Sequence, residues 1–396
     1  MARRPRKQPN VYQRSDGRWE ARATIEGRRK SFYGDTQDEA LEERRKALER
    51  ASAGIKQPSA QLKLNDYAEM WLRDVAPMRL APATVRLYNM VYTGTWKPLL
   101  GDKSLIRITK IDVQQAVSQL QKELKPSTVK RWLSCLRGIF NHAIDMSLMS
   151  VNPTHEVTIP RIKKKEFPEM SDEDLIRIID AIEKHSHGPL LGTMLFAGLR
   201  IGETLGLRRN DIDFAKKTIT VDQAVRIVDS ATNEKGLGDP KTETSKRVVW
   251  MMPELEALLK KQRATVATIQ LKTGPEWNPL DLVFPTVDGT FINEATIRKA
   301  LRLLCDDLGL DLRTPKGEKV DHLTPHMLRH LNTTLMSEAG INPRLAADLL
   351  GHSDTSTTLD VYTHSRRRSR QYATEAMSSY LQRLREGKVH PDQQTG

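Results

Sequence analysis

The chain has 396 residues, with 63 Lys and Arg against 50 Asp and Glu, for a formal charge of +13. That length exceeds one ordinary hydrophobic core and predicts two or three domains. The positive excess favours a polyanionic partner, nucleic acid ahead of membrane, and no apolar run is long enough to predict a membrane span.

The first 60 residues hold 15 Lys and Arg against 9 Asp and Glu, nearly half of the whole excess. Met1 to Lys7 is basic but lacks the apolar stretch of a signal peptide, and reads as a flexible arm. Residues 10–34 read as a three-stranded meander with turns at Asp16-Gly17 and Glu26-Gly27. In its middle strand Trp19, Ala21, Ala23 and Ile25 alternate with Arg18, Glu20, Arg22 and Thr24, which predicts one dry and one polar face. Thr36 and Glu39 form a capping box that opens a helix to about Ser52, placed to cover the dry face. Arg14, Arg18, Arg22, Arg28, Arg29 and Lys30 crowd this small unit, so its open face is a candidate for a DNA groove. Ala53 to Lys63 reads as a linker.

Residues 64–150 read as wholly helical, with helices around Asp66–Asp74, Ala83–Tyr92 and Asp112–Leu124. A clearer one follows Pro126, with Ser127 as candidate N-cap. Its stripe of Val129, Trp132, Leu133, Leu136, Ile139, Phe140, Ala143 and Ile144 has helical period and reads as core. The off-stripe cations Lys125, Lys130, Arg131 and Arg137 are candidates for phosphate contact. Cys135 and Cys305 both sit in helical apolar patterns and read as buried thiols of a reduced, cytosolic protein.

Val151 to Phe167 reads as extended and basic, a domain boundary whose Lys163, Lys164 and Lys165 are further candidates for DNA contact. Ser171 starts the next helix, with Asp172, Glu173 and Asp174 at its positive end. Thr218–Val221 and Arg247–Met251 read as strands. The segment Val225 to Gly238 between them reads as a long, mobile loop.

The chemistry gathers in five short motifs. They are Ala197-Gly198-Leu199-Arg200-Ile201-Gly202-Glu203, Pro240-Lys241-Thr242, Thr324-Pro325-His326-Met327-Leu328-Arg329-His330, Leu350-Gly351-His352-Ser353 and Tyr362-Thr363-His364. Pro325 opens a helix on which His326 and Arg329, three apart, can point at one anion. His326 and His330 have the spacing of a zinc-protease pair, but Met327 stands where that motif needs Glu, so no metal is expected. His330 reads as a packing residue.

In this order the motifs strongly resemble the tyrosine recombinases, or phage integrases. The resemblance extends over residues 61–385 in domain plan and is specific over about 190–365. The three-stranded unit ahead of a helical domain resembles the integrases of temperate phages and conjugative transposons, which carry an extra arm-DNA-binding domain. The fold class implied is multidomain and mainly α with small β elements. It comprises an α+β three-stranded arm-binding domain (1–57), an all-helical core-binding domain (61–150), a linker (151–166), a mixed, mainly helical catalytic domain (167–385) and a polar tail (386–396).

The resemblance implies a catalytic set of Arg200, Lys241, His326, Arg329, His352 and Tyr362, with Glu203 in support. Tyr362 is the nucleophile, forming a 3′-phosphotyrosyl bond and releasing a 5′ hydroxyl. Arg200 and Arg329 clamp the non-bridging oxygens, and Lys241 is the general acid, with Lys246 as an alternative. His326 serves as base or relay, His352 donates to a phosphate oxygen, and Glu203 holds a catalytic residue in place. A phosphodiester is exchanged for another, so neither ATP nor any cofactor is expected. The implied partners are double-stranded DNA at core and arm-type attachment sites, a homotetramer on that DNA, and DNA-bending and directionality proteins. The setting is a bacterial cytoplasm, at the nucleoid when active. Whether Tyr362 attacks in its own subunit's site stays open. Residues beyond it, with Arg366, Arg367 and Arg368, read as a helix to about Leu384 that docks on a neighbouring subunit or folds back on its own domain. A topoisomerase-type nicking and closing enzyme and a non-catalytic DNA-binding regulator are the competing readings, with a metal-dependent nuclease the weakest.

Overall fold

The computed structural model describes residues 10–25, 28–52, 61–162, 166–239 and 246–351. The chain divides into two compact units, residues 1–163 and 164–396.

The first unit begins with an antiparallel sheet of β1 (Val11–Gln13), β2 (Trp19–Ile25) and β3 (Arg28–Gly34) in that order. β2 pairs β3 from Trp19 opposite Gly34 to Ile25 opposite Arg28. Helix α1 (Gln37–Ser52) follows through the expected capping box: Glu39 Oε2 accepts from the backbone N–H of Thr36, and Thr36 Oγ1 accepts from that of Glu39. Ala21 and Ile25 of the sheet and Ala40 and Ala47 of α1 are buried, as the dry face requires. The other face departs from simple alternation, because Glu20 is buried there. Its carboxylate accepts from Arg22 Nε at 2.7 Å and Ser31 Oγ at 2.6 Å, with Arg14 Nη1 3.7 Å away. A carboxylate tolerates such burial only when its oxygens are matched by donors and cations.

The helical part of this unit starts with α2 (Leu64–Met70) and α3 (Ala76–Arg79), joined through a widened turn at Trp71–Val75. α4 (Pro82–Val91) and α5 (Lys97–Leu100) repeat the device through Tyr92–Trp96. Both widened turns carry core side chains, among them Trp71, Leu72, Tyr92 and Trp96. α6 (Lys110–Leu120) opens on a capping box between Thr109 and Asp112. α7 (Pro126–Asp145) has Pro126 in its first turn and Lys125 as N-cap, so Ser127 is not the cap. The fixed φ of proline suits the first helical position, which leaves the preceding residue to take the extended cap geometry. Val129, Leu133, Leu136, Ile139, Phe140 and Ala143 are buried as the stripe requires, while Trp132 and Ile144 are half-buried. Cys135 is buried among them, and burial pushes its thiol up to about 12.

The segment after α7, expected to be extended, instead turns at 153–156, and its first half is laid onto the helices. Asn152 Nδ2 donates to Arg137 O and Asn141 Oδ1, and Thr158 N donates to Gln114 Oε1.

His142, on the buried side of α7, lies 2.7 Å by Nδ1 from the Tyr67 hydroxyl. Burial, and then the charge of Arg79, push its imidazole below the ordinary 6.5. The folded chain therefore holds this ring neutral at pH values where the unfolded chain protonates it. The stability it confers is present above about pH 6.5 and declines as acid is added below that value. The thermal midpoint should fall between pH 7 and pH 5.5, and His142→Gln should flatten that decline; an unchanged slope would show that His142 is not its source.

In the second unit, α8 (Asp172–Lys184) is capped by Ser171, whose Oγ accepts from Asp174 N. α9 (Gly188–Phe196) and the short α10 (Ile201–Leu205) follow. β4 (Ile212–Asp213) and β5 (Thr218–Val221) enter a small antiparallel sheet, and β6 (Ala224–Ile227) and β7 (Lys235–Gly238) form a separate hairpin. β8 (Arg247–Trp250) then completes the small sheet in the order β4-β5-β8. The expected mobile loop from Val225 to Gly238 is thus largely a paired hairpin, with Ala224 opposite Gly238 and Ile227 opposite Lys235. Its second strand, Lys-Gly-Leu-Gly, has too little β-forming side chain to announce itself in the sequence.

α11 (Pro253–Thr273), α12 (Glu294–Leu308), α13 (Pro325–Glu338) and α14 (Pro343–Leu350) complete the described part. Their core joins Leu191 and Met194 of α9, Leu255 and Leu259 of α11, Leu301 and Leu304 of α12, and Leu328 of α13. Cys305 is buried in the same core. Among the described residues no helix is long and apolar enough to cross a membrane.

Candidate active site

Arg200, Glu203, Arg329 and a fourth residue, Arg247, converge on one cluster, in which the side chains of all but Arg200 are buried. Arg200 stands at the start of α10, where Glu203 Oε2 accepts from its backbone N–H at 2.9 Å and Glu203 Oε1 accepts from its Nη1 at 2.7 Å. The short spacing in the motif thus serves to close the helix start on itself. Arg247 reaches in from β8, its Nη2 donating to Glu203 Oε2 at 3.0 Å. Arg329, on the inner side of α13, is only 2% exposed and donates through Nη1 to Gly198 O and through Nη2 to Leu350 O, both at 2.5 Å.

The glycines of the first motif have steric reasons. Gly198 has φ +62°, and a Cβ there would lie 2.4 Å from the Leu350 side chain. A Cβ on Gly202 would press to 3.0 Å of Val225 O in β6. Both therefore let neighbouring elements close on the cluster.

Burial alone would raise the Glu203 carboxyl, but the charge and hydrogen bond of Arg247 and the donors of Arg200 hold it below the usual carboxylate range. Among the described residues, three guanidiniums surround this one ionised carboxylate. Arg329 feels this directly: burial, then Arg200 and Arg247, push it down to about 9 against the opposing pull of Glu203. An anion delivered here would relieve that repulsion and meet donors already oriented.

α13 starts at Thr324, whose Oγ1 accepts from Met327 N, with Pro325 in the first turn. The two residues expected to face one anion differ in exposure. Arg329 is turned inward, while His326 is exposed, its ring 5.9 Å from that of Phe167. His330 is half-buried and stacks on Phe167 with centroids 3.6 Å apart, as a packing residue does. Among the described residues no three His, Cys, Asp or Glu side chains gather as a metal site.

Residues 168–368 match the model of the phage integrase family. A tyrosine recombinase of the XerC-like kind from Caldanaerobacter subterraneus subsp. tengcongensis is 30% identical over 368 residues, spanning 88% of this chain and 91% of the relative. The chain belongs to the phage integrase family. It is a tyrosine site-specific recombinase. The integrase of Staphylococcus phage L54a is 26% identical over 65% of this chain and 76% of its own length. Among solved structures, the Tn1549 transposon integrase in complex with a circular intermediate DNA superposes with a TM-score of 0.63 at 18% identity, over 80% of this chain and 99% of that one. A lambda integrase tetramer bound to a Holliday junction gives 0.55 at 17%, over 91% and 96%. These two likenesses show the fold.

Lys241, His352 and Tyr362 of the expected set lie outside the described residues, as do Lys163, Lys164, Lys165 and the expected C-terminal helix. Lys246, the alternative acid, forms an ion pair with Asp239 at 3.2 Å. Lys125, Lys130, Arg131 and Arg137 of the recombinase are all exposed along α7. In the N-terminal sheet Arg14 and Arg22 pair with Glu20 and lie over the rings of Tyr33 and Tyr12, at 5.4 and 4.6 Å. Arg18 pairs with Asp16 in the turn at 3.0 Å, and Arg29 is exposed. Lys30 is half-buried, and the side chain of Arg28 lies outside the described part.

Arg247 was missed by the sequence reading. The available signal was a charged residue in phase with inward-facing Val249 and Met251. Val248 and Trp250 on the opposite phase are equally apolar, although exposed, so the phase was not decidable from sequence.

Proposed function

We propose that this recombinase binds double-stranded DNA and holds a scissile phosphate on the Arg200–Arg329 cluster while the Tyr362 phenolate attacks it. The observation that carries this reading is the set of three guanidiniums against one buried carboxylate. The new bond joins the Tyr362 oxygen to phosphorus, and the bond to the 5′ oxygen breaks. Lys241 protonates that departing oxygen, with Lys246 as the alternative acid. A phenol of pKa about 10 needs a proton acceptor to attack at neutral pH, the role given to His326. His352 donates to a phosphate oxygen, and Glu203 fixes Arg200. Attack by the freed 5′ hydroxyl of a second strand reverses the chemistry and rejoins DNA with no energy input.

The domain plan proposed is 1–57 for arm-type sites, 61–150 for core sites, 151–166 as linker, 167–385 for catalysis and 386–396 as tail. Exposed cations along α7 support the second assignment, and the arginine-rich sheet supports the first. The chain works as a tetramer on two duplexes, moving a phage or other mobile element with bending and directionality factors. The lambda neighbour, solved as a tetramer on a Holliday junction, supports that assembly.

The test starts from a duplex library with one nick and a randomised centre, from which denaturant-resistant adducts are captured with the wild-type chain. Two differently labelled duplexes of the selected sequence are then incubated with it. Exchanged strands of hybrid length are expected. Relaxation of a plasmid bearing that sequence, with no exchanged product, would overturn the synaptic tetramer.

A further inference from the structure

The carbonyls of Leu349, Leu350 and Gly351, at the C-terminal end of α14, each meet a different guanidinium. Leu349 O accepts from Arg247 Nε at 3.0 Å, Leu350 O from Arg329 Nη2 at 2.5 Å, and Gly351 O from Arg200 Nη2 at 3.1 Å. Carbonyls at a helix C-terminus lack intrahelical partners and carry the negative end of the helix dipole. Three cations on three successive carbonyls therefore grip the end of α14 as a unit. The next residue in the chain is His352, and Tyr362 follows ten residues later.

Arg200 and Arg329 already have places in the proposed phosphate clamp. Arg247 does not, although its side chain is only 6% exposed and joins three parts of the fold: strand β8, the carboxylate of Glu203 and the end of α14. Glu203 Oε1 accepts from Arg200 Nη1, while Oε2 accepts from both the Arg200 backbone N–H and Arg247 Nη2. Loss of Arg247 would remove the Nη2 donor from Glu203 Oε2, which keeps the Arg200 backbone N–H, and the Nε donor from Leu349 O, so the Glu203–Arg200 pair and the end of α14 would lose the tie they share.

We propose that Arg247 is a positioning residue of the recombinase, fixing Arg200 through Glu203 and the end of α14 through Leu349 O. The proposal rests on the catalytic reading above. A planar guanidinium can serve the carboxylate through Nη2 and the carbonyl through Nε at once, whereas a lysine ammonium is a point charge on a different stem. Arg247→Lys therefore keeps the charge beside Glu203 and loses the bridge.

The experiment measures single-turnover adduct formation at saturating selected duplex, together with DNA affinity and the thermal midpoint, for Arg247→Lys, Arg247→Met and Arg329→Lys. Misplacement by about 1 Å can cost a reaction roughly 100-fold. Arg247→Met should slow adduct formation by about that factor, with DNA affinity retained. Arg247→Lys should recover the thermal midpoint yet remain at least about tenfold slow. If Arg247→Met does not fold, Arg247→Lys alone decides. Arg247→Lys at the wild-type rate, while Arg329→Lys is strongly impaired, would overturn the positioning role and leave the catalytic reading standing. Both lysine variants at the wild-type rate would overturn the catalytic reading itself.

Discussion

Tyr362→Phe should abolish the denaturant-resistant protein–DNA adduct while leaving noncovalent binding of the selected duplex intact. The substitution removes one oxygen and keeps the ring, so packing and charge change little. Without that oxygen no phosphotyrosyl bond can form, and removal of a covalent nucleophile costs enzymes on the order of 10⁴-fold or more. DNA affinity resides mainly in cations on phosphates, which the variant leaves untouched. The check is a pair of assays on the same duplex, denaturing gel for the adduct and native gel for the complex. Adduct at wild-type yield in the variant would remove Tyr362 from the reaction.

Arg329→Lys carries the second large effect, on both rate and stability. The guanidinium donates to Gly198 O and Leu350 O inside the protein and still has further N–H groups in its fork for an anion. A lysine cannot reproduce that planar arrangement from the same backbone position. Loss of one preorganised donor to developing charge typically costs about 10²–10³ in rate. A buried carbonyl left without its donor costs about 1–3 kcal/mol, so a lowered thermal midpoint should accompany the slower reaction. Single-turnover rates measured well below the midpoint separate the two effects. A rate within a few-fold of wild type there would place the scissile phosphate elsewhere.

Much of the architecture was legible because it rests on local rules. The capping box at Thr36 and Glu39, the stripe on α7 and the start of α13 at Pro325 each follow from spacing and residue type. The pairing of Arg200 with Glu203 was also within reach, since three residues separate a helix start from the carboxylate that closes it. What sequence could not supply was long-range convergence. Arg247 lies 44 residues from Glu203 and 102 from Leu349, and meets them only because β8 turns that phase inward. The hairpin of β6 and β7 was hidden by glycines, which carry little strand signal yet allow close packing. Ser127 was taken for a cap by residue type alone, when the proline before it fixes the register. Glu20 was placed in water by alternation, when Arg22, Ser31 and Arg14 make its burial tolerable.

The most direct measurement is to trap the adduct on the selected nicked duplex, digest the protein and identify the peptide that carries the nucleotide. The modified peptide should contain Tyr362, linked to a 3′ phosphate, and the trapped yield should collapse in Arg329→Lys. A nucleotide found on Tyr372, Tyr380 or any other side chain, or a full yield without Arg329, would contradict attack by Tyr362 on a phosphate held by this arginine cluster.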